Sequence, residues 1–222
     1  MRRKETRPIA ISKTAAIAYL PNSQNTVAFA IRHNLVVVAD EAYEDLVYEG
    51  EHVSIAALPG MAERTISCYT FSKTYAMTGW RVGYAVAKEP FMTGLRKLVL
   101  YSTNGVSTPT QWAALEALSI PESAIRTRLE EYRQRRDLLV AGLNELGMEC
   151  ELPAGAFYAF PRVAKIHKES RRVAAMLLDK VHVATIPGVV FGAQGEGHVR
   201  FSYAVSRDAL HAGLDALRKF FA

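Results

Sequence analysis

Cysteine is scarce in this chain of 222 residues: Cys68 and Cys150 are the only two, far apart and outside any Cys-x-x-Cys pair. A disulfide scaffold is excluded, and buried free thiols in a reducing compartment are expected. Long apolar runs are missing too, none reaching the roughly 18 residues a membrane-spanning helix needs. The opening Met1-Arg2-Arg3-Lys4-Glu5 lacks the apolar stretch of an export signal. Together these features predict a cytoplasmic protein. No charge of one sign dominates; the formal net charge is only +5. Arg126, Arg128, Arg133, Arg135 and Arg136 alternate with Glu130, Glu131 and Asp137 on a helical pattern. That predicts a solvated helix face rather than a nucleic-acid surface. The histidines show no metal-ligand spacing, and no Ser-His-Asp set can be assembled. Internal repeats and low-complexity stretches are absent.

What is present suits a soluble globular protein: 50% of the residues are hydrophobic and 22% are charged. The length allows one domain or one and a half. Residues 15–20 form a short apolar run closed by Pro21-Asn22, a buried strand followed by a loop. Residues 27–34 read as the last turns of a helix. Residues 35–39 are a continuous β-branched run, the mark of a strand buried on both faces of a parallel sheet. Residues 66–71 and 82–87 predict further strands. Residues 95–100 and 111–118 predict helices, with Ser107-Thr108-Pro109-Thr110 as a cap signal between them. Pro121 opens a long amphipathic helix whose apolar positions are Ile125, Leu129, Tyr132, Leu139, Leu143 and Leu146, and Gly147 ends it. Beyond it come β segments at 155–160, a helix near 173–180, strands at 181–185 and 199–203, and a last helix from 207 to about 220. The change of pattern at Ser119-Ile120-Pro121 places a domain boundary there: an α/β piece over residues 1–120 and an α+β piece over 121–222.

The most telling stretch is Phe71-Ser72-Lys73-Thr74-Tyr75-Ala76-Met77-Thr78-Gly79-Trp80-Arg81-Val82-Gly83-Tyr84. Lys73 follows an apolar β-rich run, flanked by small hydroxyl residues. A lysine on a strand-end loop can form a Schiff base with an aldehyde if its amine is neutral often enough to attack. Thr70, Ser72 and Arg81 offer hydroxyls and a guanidinium fork, donors that suit a phosphate dianion. An aldehyde and a phosphate on one small molecule describe pyridoxal 5'-phosphate. Asp40-Glu41-Ala42-Tyr43 follows directly on the Val-rich strand, and ligands of parallel sheets gather at carboxyl ends of strands. Each residue also has a plainer reading: Asp40 as a helix N-cap, Lys73 as an exposed loop lysine, Arg81 in a surface salt bridge, and Arg200 on a surface edge strand.

The run Ser72-Lys73-x-x-x-Met77-Thr78-Gly79-Trp80-Arg81-x-Gly83-Tyr84 resembles the lysine motif of the class I/II aminotransferases of fold type I. The resemblance covers nearly the whole chain from about residue 14. It implies an α/β fold: part of a pyridoxal-phosphate-binding large domain with a mostly parallel sheet, over 1–120, and a C-terminal α+β small domain, over 121–222. It implies pyridoxal 5'-phosphate as cofactor and ping-pong transfer of an amino group between an amino acid and a 2-oxo acid. By the same resemblance Lys73 holds the cofactor and moves the substrate's proton, Asp40 pairs with the ring nitrogen, and Tyr43 bonds the ring's phenolic oxygen. Thr70 and Arg81 hold the phosphate, and Asn25 touches the ring oxygen. Arg200, in Val199-Arg200-Phe201-Ser202-Tyr203, clamps the substrate carboxylate. Pro187-Gly188-Val189-Val190-Phe191-Gly192 and Gly155-Ala156-Phe157-Tyr158 match family segments that either line the entrance or pack loops. A homodimer is implied, with no nucleic-acid or membrane partner.

Against the family, the chain reads as truncated at its N-terminus and internally shortened. Counterparts of the family's glycine/serine phosphate loop, ring-stacking aromatic and N-terminal arm are missing, and residues 1–12 look like the approach to a mid-domain strand. The interval from Asn25 to Asp40 reads as too short for the usual full helix. Weak cofactor binding and poor catalysis are the expectation. Residues 101–108 contain no cation, which favours uncharged or aromatic substrates. Alternatives are C–S bond cleavage on the same cofactor and a non-catalytic remnant that serves as a binding module. Gly192-Ala193-Gln194-Gly195-Glu196-Gly197 reads as a flexible turn, since no Lys-Ser/Thr follows it.

Overall fold

A computed structural model of the chain describes residues 8–11 and 23–221. The strand expected at 15–20 and its Pro21-Asn22 lie outside the described residues. The chain divides into two compact units, Met1–Arg126 and Thr127–Ala222.

The first unit is built on a sheet of four strands in sequence order: β1 (Pro8–Ile11), β2 (Val36–Asp40), β3 (Thr65–Thr70) and β4 (Gly83–Val86). β1–β2 and β2–β3 are parallel, and β3–β4 is antiparallel. The mostly parallel sheet expected from the Val-rich run is therefore present. Residues 8–11, expected to be an approach segment, form a strand paired with Val36 to Ala39. Helix α1 (Ser23–Arg32) precedes β2 and is ten residues long, so the short interval still accommodates a helix. Asn34 ends it in the left-handed region at φ 48°, with Leu35 N donating to Ala30 O at 2.9 Å, a closure typical of a helix C-terminus. Ala30, Leu35, Val37, Ala39, Ile55 and Met61 make one core under the sheet. Val36 and Val37 are buried and Val38 half-buried, as a central strand covered on both faces requires. Helices α2 (Phe91–Thr103) and α3 (Thr108–Ala117) follow β4. α2 extends beyond its expected span at both ends and α3 starts three residues earlier than expected, with the left-handed Asn104 and Pro109 at the start of α3 setting the break between them. Ser107 stands at the N-cap of α3, but its hydroxyl donates to Thr110 Oγ1 rather than accepting a backbone N–H.

Helix α4 (Glu122–Glu145) begins in the first unit and runs through the second. Gly147, at φ 76°, ends it as expected. The second unit contains β5 (Tyr158–Ala159), α5 (Ser170–Val181), β6 (Ile186–Pro187), β7 (Val199–Ser202) and α6 (Arg207–Phe221). Its sheet has the order β5-β7-β6 and is antiparallel. The strand expected at 181–185 is displaced: Val181 ends α5, His182 turns left-handed at φ 57°, and pairing begins only at Ile186. Leu139, Leu143, Val173, Leu177, Val199, Leu214 and Leu217 are all buried in this unit. Leu214 occupies the space a Cβ on Gly142 would need, approaching within 2.6 Å, so α4 and α6 meet at a glycine.

The arginine-rich face of α4 is solvated over most of its length. Arg126 pairs with Glu122 at 2.6 Å, Arg133 with Glu130 at 3.0 Å, and Arg135 with Glu131 at 2.9 Å. Arg136 departs from that expectation. It is 2% exposed and donates to Asp137 Oδ1 and Pro153 O, both at 2.8 Å. A buried guanidinium needs such partners.

Candidate functional site

Parallel strands β2 and β3 end at Asp40 and Thr70, and the register pairs Asp40 with Cys68. At ordinary strand spacing and rise, Asp40 and Thr70 backbones lie on the order of 8 Å apart at one edge of the sheet. Asp40 is exposed there. Its Oδ1 accepts Ala42 N at 3.2 Å, a turn contact; no helix follows Asp40 directly, so the plainer helix N-cap reading does not hold. Three residues on from Asp40, Tyr43 sits half-buried in the following turn. Lys73, in the turn after β3, is also half-buried rather than an exposed loop lysine, and its Nζ lies 5.7 Å from the centroid of the Tyr43 ring. That turn is fixed from within: Ala76 N donates to Lys73 O, and Met77 N to Phe71 O, both at 3.2 Å. Phe71 and Met77 anchor it in a core shared with Ala114 and Ala117.

The hydroxyl and guanidinium donors gather on the same β3–β4 end. Thr70 Oγ1 accepts Ser72 N at 3.1 Å and donates to Val82 O at 3.5 Å. Thr78 Oγ1 donates to Ser72 O at 3.2 Å. Thr70 pairs with Gly83, where a Cβ would meet Tyr69 O at 2.4 Å. Only glycine lets the two strands approach there, and this brings Arg81 to the end of β3. Arg81 is exposed and left-handed at φ 53°, a costly conformation for a residue with a side chain. Its Nη1 donates to Thr78 O at 3.0 Å, so this group serves the local turn rather than a surface salt bridge. Asn25 is placed differently from the rest. It lies exposed in the first turn of α1.

Acidic groups surround the turn that bears Tyr43. Glu41 is buried. Burial alone would raise its carboxyl, but hydrogen bonds from His52 and Ser54, with the charge of His52, outweigh that and hold it below the usual 4.5. Glu44 goes the other way: burial, then the neighbouring charge of Asp45, pushes it up to about 7. Tyr69 and Tyr84 stack at 4.8 Å, and burial followed by nearby carboxylates raises both phenols. Glu41, His52 and Ser54 escaped the sequence reading. The available signal was a second acid directly behind a buried strand.

In the second unit Arg200 lies on β7, the central strand of its sheet, so the surface edge-strand reading does not hold. Its Cζ is 4.2 Å from the Tyr158 ring centroid and 4.9 Å from that of Phe191. The two family-like segments at 155–158 and 187–192 thus each supply an aromatic face to one guanidinium, leaving its edge for planar hydrogen bonding. The Gly192 to Gly197 segment is a tight turn: a Cβ on Gly195 would meet Gly188 O at 2.2 Å. Both cysteines are free thiols, Cys150 buried and Cys68 only half-buried. Among the described residues no cluster fits a metal ion, and no helix is long and apolar enough to cross a membrane.

An amine above a phenol, a carboxylate on the next strand end, and hydroxyls beside a guanidinium form a donor set that fits an aromatic aldehyde bearing a phosphate. Comparison with known proteins points the same way. The family profile for aminotransferase class I and II matches residues 12–217. An aspartate aminotransferase of Pyrococcus abyssi (strain GE5 / Orsay) is 38% identical over 209 residues, covering 93% of this chain and 54% of its own. An aromatic-amino-acid aminotransferase 2 of Thermococcus litoralis is equally similar, at 38% identity with the same coverage of both chains. A solved aromatic aminotransferase from Pyrococcus horikoshii OT3 superposes with a TM-score of 0.90 at 36% identity, over 97% of this chain and 60% of that one. The chain spans about half the length of the curated relatives it matches.

Proposed function

Because this chain belongs to the class I and II aminotransferases and carries part of their fold-type I architecture, we propose that it binds pyridoxal 5'-phosphate at the ends of β2 and β3 and serves amino-group transfer between an amino acid and a 2-oxo acid. The observation that carries the reading is the half-buried Lys73 amine above Tyr43, one strand away from Asp40. When bound, the cofactor supplies an electron-accepting ring. Lys73 would hold its aldehyde end, and its amine is the base that would carry a proton at the substrate α-carbon. Asp40 keeps the ring nitrogen protonated, since a carboxylate favours a neighbouring cation. Tyr43 donates to the phenolic oxygen. Thr70 and Arg81 bind the phosphate. Arg200 grips the substrate carboxylate through its planar fork. The proposed scheme is ping-pong, in which the first product would leave before the second substrate binds.

The domain assignment belongs to the same proposal: cofactor-binding residues in 1–120 and the carboxylate clamp in 121–222, assembled as a homodimer. Residues 101–108 offer no cation for a second carboxylate, which favours uncharged or aromatic side chains. Relatives named for aspartate and for aromatic amino acids match equally well, so overall identity gives no preference. The test is a spectrophotometric titration with pyridoxal phosphate, followed by assays with several amino-acid and oxo-acid pairs. A new absorbance band and formation of the matching amino acid support the reading. Pyruvate and ammonia as products would replace it with C–S cleavage. No absorbance change at millimolar cofactor would leave the chain a binding module without this chemistry.

A further inference from the structure

Glu41 is a buried carboxylate that the proposed chemistry leaves unused. It is 6% exposed and follows Asp40 directly. Its carboxylate lies 2.9 Å from His52 Nε2 and accepts Ser54 Oγ at 2.7 Å. Ser54 Oγ in turn accepts Ala56 N at 3.3 Å and caps the short helical turn Ile55–Ala57. Ile55 belongs to the core that holds Val37 and Ala39 of β2. The excursion from residue 41 to residue 54 is therefore tied back to the strand it leaves.

The backbone makes the same connection. Glu41 N donates to Cys68 O at 2.9 Å, one rung past the β2–β3 ladder. Glu41 O accepts Glu44 N at 3.1 Å, and Tyr43 O accepts Leu46 N at 3.0 Å, with Leu46 buried. Tyr43 thus rides on a turn whose first residue is Glu41. A buried carboxylate is tolerated only while its hydrogen bonds are made, which turns this contact set into a constraint on the whole turn. Burial opposes its charge, and the close His52 imidazole together with the Ser54 hydrogen bond overcomes that opposition.

We propose that Glu41, held by His52 and Ser54, is a positioning residue: it fixes the turn that sets the Tyr43 ring beneath Lys73 and aims Asp40 at the strand end. The proposal rests on the cofactor reading above, but its geometry can be tested without the cofactor. None of the three is among the residues to which the cofactor reading gives a binding or catalytic role.

Hydrogen exchange is measured on the unliganded 222-residue chain and on Glu41→Gln, Ser54→Ala and His52→Gln, and each protein is then titrated with pyridoxal phosphate. In Glu41→Gln and Ser54→Ala the Glu44 and Leu46 amides should exchange about tenfold faster, while Val37 and Val38 stay unchanged. Cofactor affinity should fall about tenfold with them. His52→Gln keeps a neutral donor beside Glu41 and should retain most of the protection and affinity. Unchanged exchange at Glu44 and Leu46 overturns the proposal. So does equal acceleration at Val37 and Val38, which would make the network a support of the sheet at large. Faster exchange in the turn with unaltered affinity overturns it as well. If the unsubstituted chain itself binds no cofactor, the functional reading fails, and the exchange data alone decide whether the network holds the turn.

Discussion

Helices α2 and α6 show how differently the two units bury their apolar residues. In α6, Leu210, Leu214 and Leu217 form one stripe at helical spacing, and all three are buried against the second unit's own core. In α2, Leu98, Val99, Leu100 and Tyr101 are consecutive, so they face every side of the helix; all are exposed, Tyr101 at 86%. α3 leaves Trp112 and Leu115 exposed on one face, and Leu118 at its C-cap is exposed too. The second unit encodes its own cover, element by element. In the first unit the described residues cover the sheet around β2 and leave α2 and much of α3 uncovered. The proposed chemistry is divided along the same line. The lysine, phenol and carboxylate belong to the first unit, while the aromatic-flanked Arg200 stands on the self-contained second one.

The sharpest way to break this division is at Lys73. After incubation with pyridoxal phosphate and borohydride reduction, peptide mapping should find the label on Lys73, and Lys73→Ala should lose it entirely. A label on a lysine of the second unit would end the assignment.

Burial gives the next largest effect. Leu143→Ala, at a fully buried position of α4, should cost about 2–5 kcal/mol in urea unfolding followed with a probe in the second unit. Leu98→Ala, on exposed α2, should change stability by only about 0.5 kcal/mol. Equal costs would show that α2 is covered in solution and that the contrast fails.

Arg200→Lys keeps the charge but gives up the planar fork and its stacking between Tyr158 and Phe191. Affinity for the oxo acid should fall about tenfold, on the order of 1.4 kcal/mol, with the cofactor absorbance intact. A change in absorbance instead would assign Arg200 to the cofactor and dissolve the division of labour.

The smallest effect concerns pH in the first unit. Glu44 is raised from 4.5 to about 7, so between these values the folded state holds its proton more tightly than the unfolded state does. Stability from this group therefore declines as pH rises from 4.5 through about 7 and is level beyond. Glu44→Gln should be more stable than the unsubstituted chain at pH 8 and equal to it at pH 4, read from urea midpoints. Glu41 acts oppositely. Its depressed carboxyl contributes stability above 4.5 that is lost as pH falls through its lower folded value.

Much of this organisation was legible in advance. The β-branched run at 35–39, the capping signals around Pro109 and Pro121, and Gly147 each located an element to within a few residues, because propensity and caps act between near neighbours. The errors arose where a helix ran past its expected end or a distant contact overrode local pattern. Val181, His182 and Val183 alternate like a strand, yet α5 extends through Val181 and His182 closes it. Arg136 looked like its solvated neighbours until Pro153 supplied a carbonyl acceptor. The Glu41, His52 and Ser54 set could not be found by spacing, since no helical or strand period joins residues 41, 52 and 54.

The order of residues along the chain determined which groups could carry chemistry: a lysine between hydroxyls, an acid behind a buried strand, an arginine near the end. Those are properties of residue type and immediate neighbours, and they survive in the unfolded chain. Tertiary structure alone decided that Asp40 stands beside Cys68, that Gly83 brings Arg81 to the end of β3, that Arg200 lies between two rings, and that Glu41 is buried and bonded while Glu44 is pushed toward neutrality. Register, burial and local field come into being only when segments remote in sequence meet and exclude water between them.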